Sequence, residues 1–113
     1  MNYRIVTTDD FDRNVKVLSK KYRSLKTDLI TFRKELLENP TMGDDLGSNT
    51  RKVRIAIASK NKGKRGGARI ITCNLLVDVE NTKIYLLAIY DKGEQENISK
   101  KEIEQLKEMN RIM

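Results

Sequence analysis

Seven side chains in this sequence are of types and at spacings that suit phosphate chemistry. Lys60, Lys62, Lys64 and Arg65 crowd one glycine-containing connection, Arg69 stands just inside the apolar run that follows, and Tyr90 and Lys92 close the next such run. Clustered ammonium groups disfavour one another's protonated forms, which suits a lysine to proton exchange, whereas a guanidinium stays charged and grips phosphate with two N–H bonds. If the fold sets Tyr90 and Lys92 beside the basic connection, the set holds a phenol, lysines and an arginine. Such a set supports attack of a ribose 2′-hydroxyl on its neighbouring phosphate: one group removes the proton, arginine stabilises the dianionic transition state, and another group protonates the leaving oxygen. Taken singly, each has a plainer reading: a solvated turn for Lys64 to Gly67, a structural ion pair for Arg69, a strand-end aromatic for Tyr90.

The charge is placed rather than spread. Arg51 to Ile70 holds eight cations and no carboxylate, while the rest of the chain nearly balances at 15 Lys/Arg against 16 Asp/Glu, so this stretch carries the net +7. A positive cluster with glycines at its centre fits a phosphate-rich polyanion, because neutralised phosphates release counterions and glycine loops aim backbone N–H groups at oxygens. Histidine is absent, which excludes Ser-His-Asp and Cys-His machinery and leaves acid–base work to Lys, Tyr, Asp or Glu. A zinc site would need carboxylates that show no ligand spacing, so neither a metal nor any other cofactor is expected. The glycines around Gly63 to Gly67 lack the spacing and the hydroxyl of a P-loop, and ATP hydrolysis has no support. Cys73, the single cysteine, lies in an apolar strand pattern and reads as a buried, inert thiol.

These side chains depend on elements legible in the apolar pattern. With 113 residues, 38% of them hydrophobic and 35% charged, residues 1–113 read as a single globular α+β domain. No apolar run is long enough to span a bilayer and the N-terminus lacks a signal-peptide plan, so a cytoplasmic location without membrane contact is expected. Tyr3 to Val6 alternates as a first or edge strand. Thr7 and Asp10 stand at capping-box spacing before a helix starting near residue 9. Phe11, Val15, Leu18, Tyr22, Leu25, Leu29, Phe32 and Leu36 then recur at steps of four and three. That stripe fits a long coiled coil or a helical hairpin bent near Arg23-Ser24, with Ser24 capping the second helix. The hairpin is preferred because the strands that follow need an apolar cover. Pro40 ends the helices and Thr41 to Thr50 reads as an exposed loop. Val53 to Ser59, Ala68 to Val77 and Lys83 to Tyr90 read as three strands of an antiparallel meander, the middle one buried on both faces and therefore central. Ser99 and Glu102 form a capping box for a last helix with Arg111 in its final turn.

Two stretches carry a family likeness. Lys62 to Ile70, KGKRGGARI, followed by Lys83 to Ser99, KIYLLAIYDKGEQENIS, resembles the RelE/HigB superfamily of bacterial toxins, in particular its phage-related HigB-like branch. The element order, β-α-α-β-β-β-α with the meander packed on an N-terminal helical hairpin, resembles the RelE-like, microbial-RNase-type fold. The likeness implies the toxin of a type II toxin–antitoxin system: a metal-independent endoribonuclease that cuts messenger RNA, usually in the ribosomal A site, and is held inactive by a HigA-like or RelB-like antitoxin. Carried onto this sequence, it implies catalytic roles for Lys60, Lys62, Arg69, Tyr90 and Lys92, with RNA held by Arg54, Lys64, Arg65, Gly66 and Gly67. The family pattern has an arginine near the place of Lys92 and a catalytic tyrosine on the terminal segment, whereas no tyrosine follows Tyr90 here. The general base is therefore open among Tyr90, a lysine, Glu94 and Glu96. Two other readings use the same patch: a ParE-like gyrase inhibitor and a non-catalytic nucleic-acid-binding module.

Overall fold

The computed structural model describes residues 1–112. Its elements run β1 (Asn2–Thr7), α1 (Asp9–Lys21), α2 (Leu25–Glu38), β2 (Asp44–Gly47), β3 (Thr50–Ile55), a short 3-10 turn (Ala58–Lys60), β4 (Ala68–Leu76), β5 (Asn81–Asp91) and α3 (Lys100–Met109). The strands form one sheet in the order β1-β5-β4-β3-β2. β3, β4 and β5 are the expected antiparallel meander, with β4 at the centre, and β1 joins β5 in parallel. The class is α+β, as the pattern predicts. No helix among the described residues is long and apolar enough to cross a membrane.

The apolar stripe folds as a hairpin, not as one long helix. Phe11 and Leu18 of α1 and Leu25, Phe32 and Leu36 of α2 pack on one sheet face against Val53, Ile55, Ile70, Ile84 and Ile89. The break falls at Tyr22, whose backbone is extended. The first helix is capped one residue later than its sequence suggests. Thr8, not Thr7, accepts the Phe11 N–H at 3.2 Å, and the same hydroxyl donates to the Leu86 carbonyl at 2.9 Å. One buried hydroxyl thus starts α1 and fixes it to β5. Thr8→Ala is expected to cost about 1–2 kcal/mol, the upper range of a lost cap, visible as a lower urea midpoint with an unchanged slope.

Ser24 precedes α2 without capping it through its side chain. Its hydroxyl instead donates to Asp28 at 2.8 Å and accepts the Ser59 N–H at 2.8 Å, while Asp28 accepts the Ala58 N–H at 3.2 Å. The bend of the hairpin is thereby fastened to the 3-10 turn that opens the basic connection. The strand expected over Val53 to Ser59 ends early, at Ile55, because this turn takes its last residues.

The stretch Thr41 to Thr50, expected as loop, contains the edge strand β2. Backbone pairing with β3 creates it, through a tight turn in which Ser48 and Asn49 both take positive φ, 53° and 60°. At the other end of the chain, α3 carries the predicted capping box, but stops at Met109 and leaves Arg111 outside it at φ 57°.

The second sheet face carries Ile71, Cys73, Leu87, Ala88 and Tyr90 beneath Ile98, Ile103 and Ile112. Cys73 is buried there as expected. β5 contains a bulge: Ile71 opposes Ala88 and Thr72 opposes Leu86, leaving Leu87 without a partner on β4. Beyond it Tyr90 lies on the α3 side, and Asp91 on the helical-hairpin side.

Candidate nucleic-acid interface

The basic connection is a built loop. Asn61 and Gly63 take positive φ, 57° and 62°, and turn the chain twice within three residues. Gly67 lies where β4 departs from β3, so close that a Cβ would sit 2.0 Å from the Ile55 carbonyl oxygen. Only glycine fits. The N–H groups of Gly66 and Gly67 point to the carbonyls of Lys62 and Lys64, at 3.3 and 3.4 Å. These two glycines therefore shape the loop, and their N–H groups are already used, unlike the phosphate-facing role expected of them. The Lys92 N–H donates to the Gly67 carbonyl at 3.1 Å. The end of β5 thus lies beside the basic connection, the juxtaposition on which the proposed chemistry depends.

Arg69 reaches back into the loop. Its guanidinium donates to the carbonyls of Lys64 at 2.9 Å, Arg65 at 3.1 Å and Ala68 at 3.2 Å, and among the described residues no carboxylate pairs with it. Burial, and next the charge of Arg54, push its pKa below the ordinary arginine value. A guanidinium has more donors than these three bonds use, so some remain for a phosphate. Across the sheet Arg54 of β3 opposes Arg69, and Arg69 opposes Tyr90 of β5. Directly opposed residues of antiparallel strands share a face. Arg54, Arg69 and Tyr90 therefore form one row on the α3 side, which runs from the exposed Arg54 to the buried Arg69 and Tyr90.

The remaining predicted residues divide. Lys62, Lys64 and Arg65 are exposed, and none has an ion-pair partner among the described residues. Lys92 pairs with Glu96 at 2.5 Å, but that carboxylate is 91% exposed, so the pair is weak and easily exchanged for a phosphate. The Lys92 ammonium holds the Glu96 carboxyl below the usual range. Tyr90 sits in the row, yet its hydroxyl is buried without a hydrogen-bond partner, and burial raises its pKa despite the nearby charge of Arg69. It is a phenol at neutral pH, suited to donate and not to accept a proton.

Lys60 is placed elsewhere. It turns to the helical-hairpin side, where its ammonium meets Asp91 at 2.5 Å. Asp91 also accepts from the Tyr22 hydroxyl at 2.5 Å and the Gly93 N–H at 2.8 Å. Burial alone would raise the Asp91 carboxyl, but Lys60, Tyr22 and Gly93 together hold it down at about 2. Lys21 completes the cluster through Glu94, a hydrogen bond that pushes the Lys21 ammonium up to about 12. The catalytic role expected of Lys60 is thus at odds with its position: it anchors the root of the loop. Asp91 was missed because the sequence offers no signal for a pair 31 residues apart.

A family model described as the RelE toxin of the RelE / RelB toxin–antitoxin system matches residues 3–113. In three dimensions the chain is similar to the free-state structure of an arginine-to-alanine double mutant of the E. coli toxin RelE, with a TM-score of 0.54 and 17% sequence identity, covering 85% of this chain and 90% of that one. At that identity the likeness is one of fold.

Proposed function

The chain belongs to the RelE family of toxins from toxin–antitoxin systems, and from that premise we propose that it is a metal-independent endoribonuclease that cuts messenger RNA on the translating ribosome. The observation that carries this reading is the row Arg54–Arg69–Tyr90 beside a loop whose exposed cations Lys62, Lys64 and Arg65 have no ion-pair partner among the described residues. Two arginines on adjacent strands clamp one phosphate, and Arg69, partly desolvated, stabilises the charge that grows on it. Lys62 donates a proton to the leaving 5′-oxygen. Lys92 exchanges Glu96 for a phosphate oxygen, and the released Glu96 carboxylate takes the proton of the 2′-hydroxyl. These groups are weak acids and bases, so positioning by the ribosome supplies much of the rate. An antitoxin of RelB or HigA type that covers the cation cluster with acidic side chains is the implied regulator, and the site of action is the cytoplasm. The HigB-like placement is supported by the Lys62–Ile70 and Lys83–Ser99 stretches.

The test is primer extension on a reporter message in cell-free translation, with and without ribosome loading. Codon-phased cuts that need ribosomes are expected. Lys62→Ala lowers their rate by about 10²-fold, the size of one general-acid contribution, and leaves the denaturation midpoint unchanged because the side chain is exposed. Intact message with folded protein would turn the assignment to gyrase inhibition or plain nucleic-acid binding.

A further inference from the structure

A recess adjoins the arginine row. It lies between the β2–β3 turn and the start of α3, holds about 200 Å³, and is lined by Leu46, Ile98 and Ile103 with Lys52, Asn97, Lys100 and one carboxylate, Glu104, whose charge is met by Lys107 at 3.7 Å. Ile98 and Ile103 are buried, whereas Leu46 is 38% exposed at the mouth. The walls are fixed to each other, because the buried Lys107 of α3 donates to the Ser48 carbonyl in the turn at 3.3 Å. The recess exists before anything enters it. Its volume is below the roughly 300–1,000 Å³ of a drug-sized cleft, which leaves room for one planar ring system.

Its position gives it a use. Lys52 lies two residues from Arg54 on the same face of β3, about 7 Å along the strand. That is close to one nucleotide step of an extended single strand. Asn97 follows Glu96, the carboxylate paired with Lys92, so the recess begins where the row ends. The Lys52 ammonium donates to the Asn97 side-chain oxygen at 3.4 Å, and among the described residues the Asn97 amide N–H groups have no hydrogen-bond partner. Apolar walls accept the faces of a base, an amide reads its edge, and the two lysines accept the flanking phosphates.

On the ribonuclease reading above, we infer that this recess is a nucleobase subsite, which holds the base next to the cut phosphate and selects where the strand is cut. The experiment uses the full chain, ¹⁵N-labelled, titrated with uncleavable 2′-O-methyl dinucleotides of each base, alongside a map of cut sites on a mixed-sequence message. The Gly47, Asn97 and Ile98 amide signals move, and the best base binds about tenfold tighter than the worst, as expected of one hydrogen bond at a base edge. Leu46→Trp, which fills the mouth, and Asn97→Ala, which removes the reading group, both erase that preference and redistribute the cuts. Shifts confined to Arg54 and Arg69, no base preference, or a preference that survives both variants overturns the subsite. So does a recess that responds only to an antitoxin, which would make it a protein-docking groove. Base-selective binding at the recess by a protein that cuts nothing would uphold the subsite and defeat the ribonuclease reading, so the two fail separately.

Discussion

Arg69→Ala lowers ribosome-dependent cleavage by about 10²–10³-fold, the loss seen when one preorganised donor to a transition-state oxyanion is removed. The argument rests on where the guanidinium sits. It is 5% exposed, its neighbours across the strands are Arg54 and Tyr90, and its own bonds go to backbone carbonyls, so among the described residues no carboxylate pairs with its charge. A charge held this way acts more strongly on a phosphate than one in water. The same bonds hold the loop, so the variant also unfolds somewhat more easily, and loss of activity alone would not separate the two effects. Arg54→Ala does. Arg54 is exposed and outside the loop bonds, so its variant loses cleavage at unchanged stability. Arg69→Lys keeps the charge but not the planar fork, and remains well below wild type. Rates from primer extension, read beside urea midpoints, decide the matter; full cleavage in Arg69→Ala defeats the role.

Asp91→Asn costs about 3 kcal/mol of stability, near the lower end for removing one partner of a buried ion pair because Lys60 keeps 12% exposure. Lys60 at the loop root loses its counter-charge, and Tyr22 at the hairpin bend, which donates to the second carboxylate oxygen, meets an amide N–H2 in its place, while the remaining oxygen still serves the Gly93 N–H. The pH dependence carries the same signature. The folded carboxyl stands at about 2 against an ordinary 3.8, so its contribution is full above about pH 4 and is lost as pH falls toward 2. Linkage puts that loss at roughly 2 kcal/mol. Guanidinium denaturation of the wild type should therefore weaken across that window, and Asp91→Asn should start lower and lose correspondingly less. Equal acid sensitivity in the two proteins would show that another carboxylate governs it.

The cover of the sheet, the central strand and the cation cluster were legible because each leaves a local trace. A stripe at steps of four and three, an apolar run without alternation and a charge excess are all properties of neighbouring residues. β2 left no such trace, since Asp44-Asp45-Leu46-Gly47 has little strand character and owes its pairing to the turn at Ser48-Asn49. The signal available was the Gly47-Ser48-Asn49 cluster, which suits positive φ. Within the site, the proximity of Arg69, Tyr90 and the loop followed from the meander. The partner of Lys60 did not, because a cation among cations gives no hint of which one turns inward to a distant carboxylate. The burial of the Tyr90 hydroxyl was equally invisible, since β5 is apolar toward both faces.

The extra residue at Leu87 makes the two halves of β5 answer to different constraints. Side chains alternate along a strand, so inserting one residue exchanges inside and outside for all that follow. Tyr90 beside Arg69 and Asp91 beside Lys60 are both consequences of that single phase shift. Substitutions that keep an apolar residue at Leu87 should be absorbed by local repacking. Removing Leu87 would leave Thr72 opposite Leu86 and Ile71 opposite Ala88 in a regular ladder, with Tyr90 and Asp91 on their present faces; flattening the bulge with Leu87 in place would instead carry Asp91 toward the arginines and Tyr90 under the helices, and both clusters would be lost together. In this strand it is the bulge that lets the chain carry an extra residue while both clusters stay on their own faces.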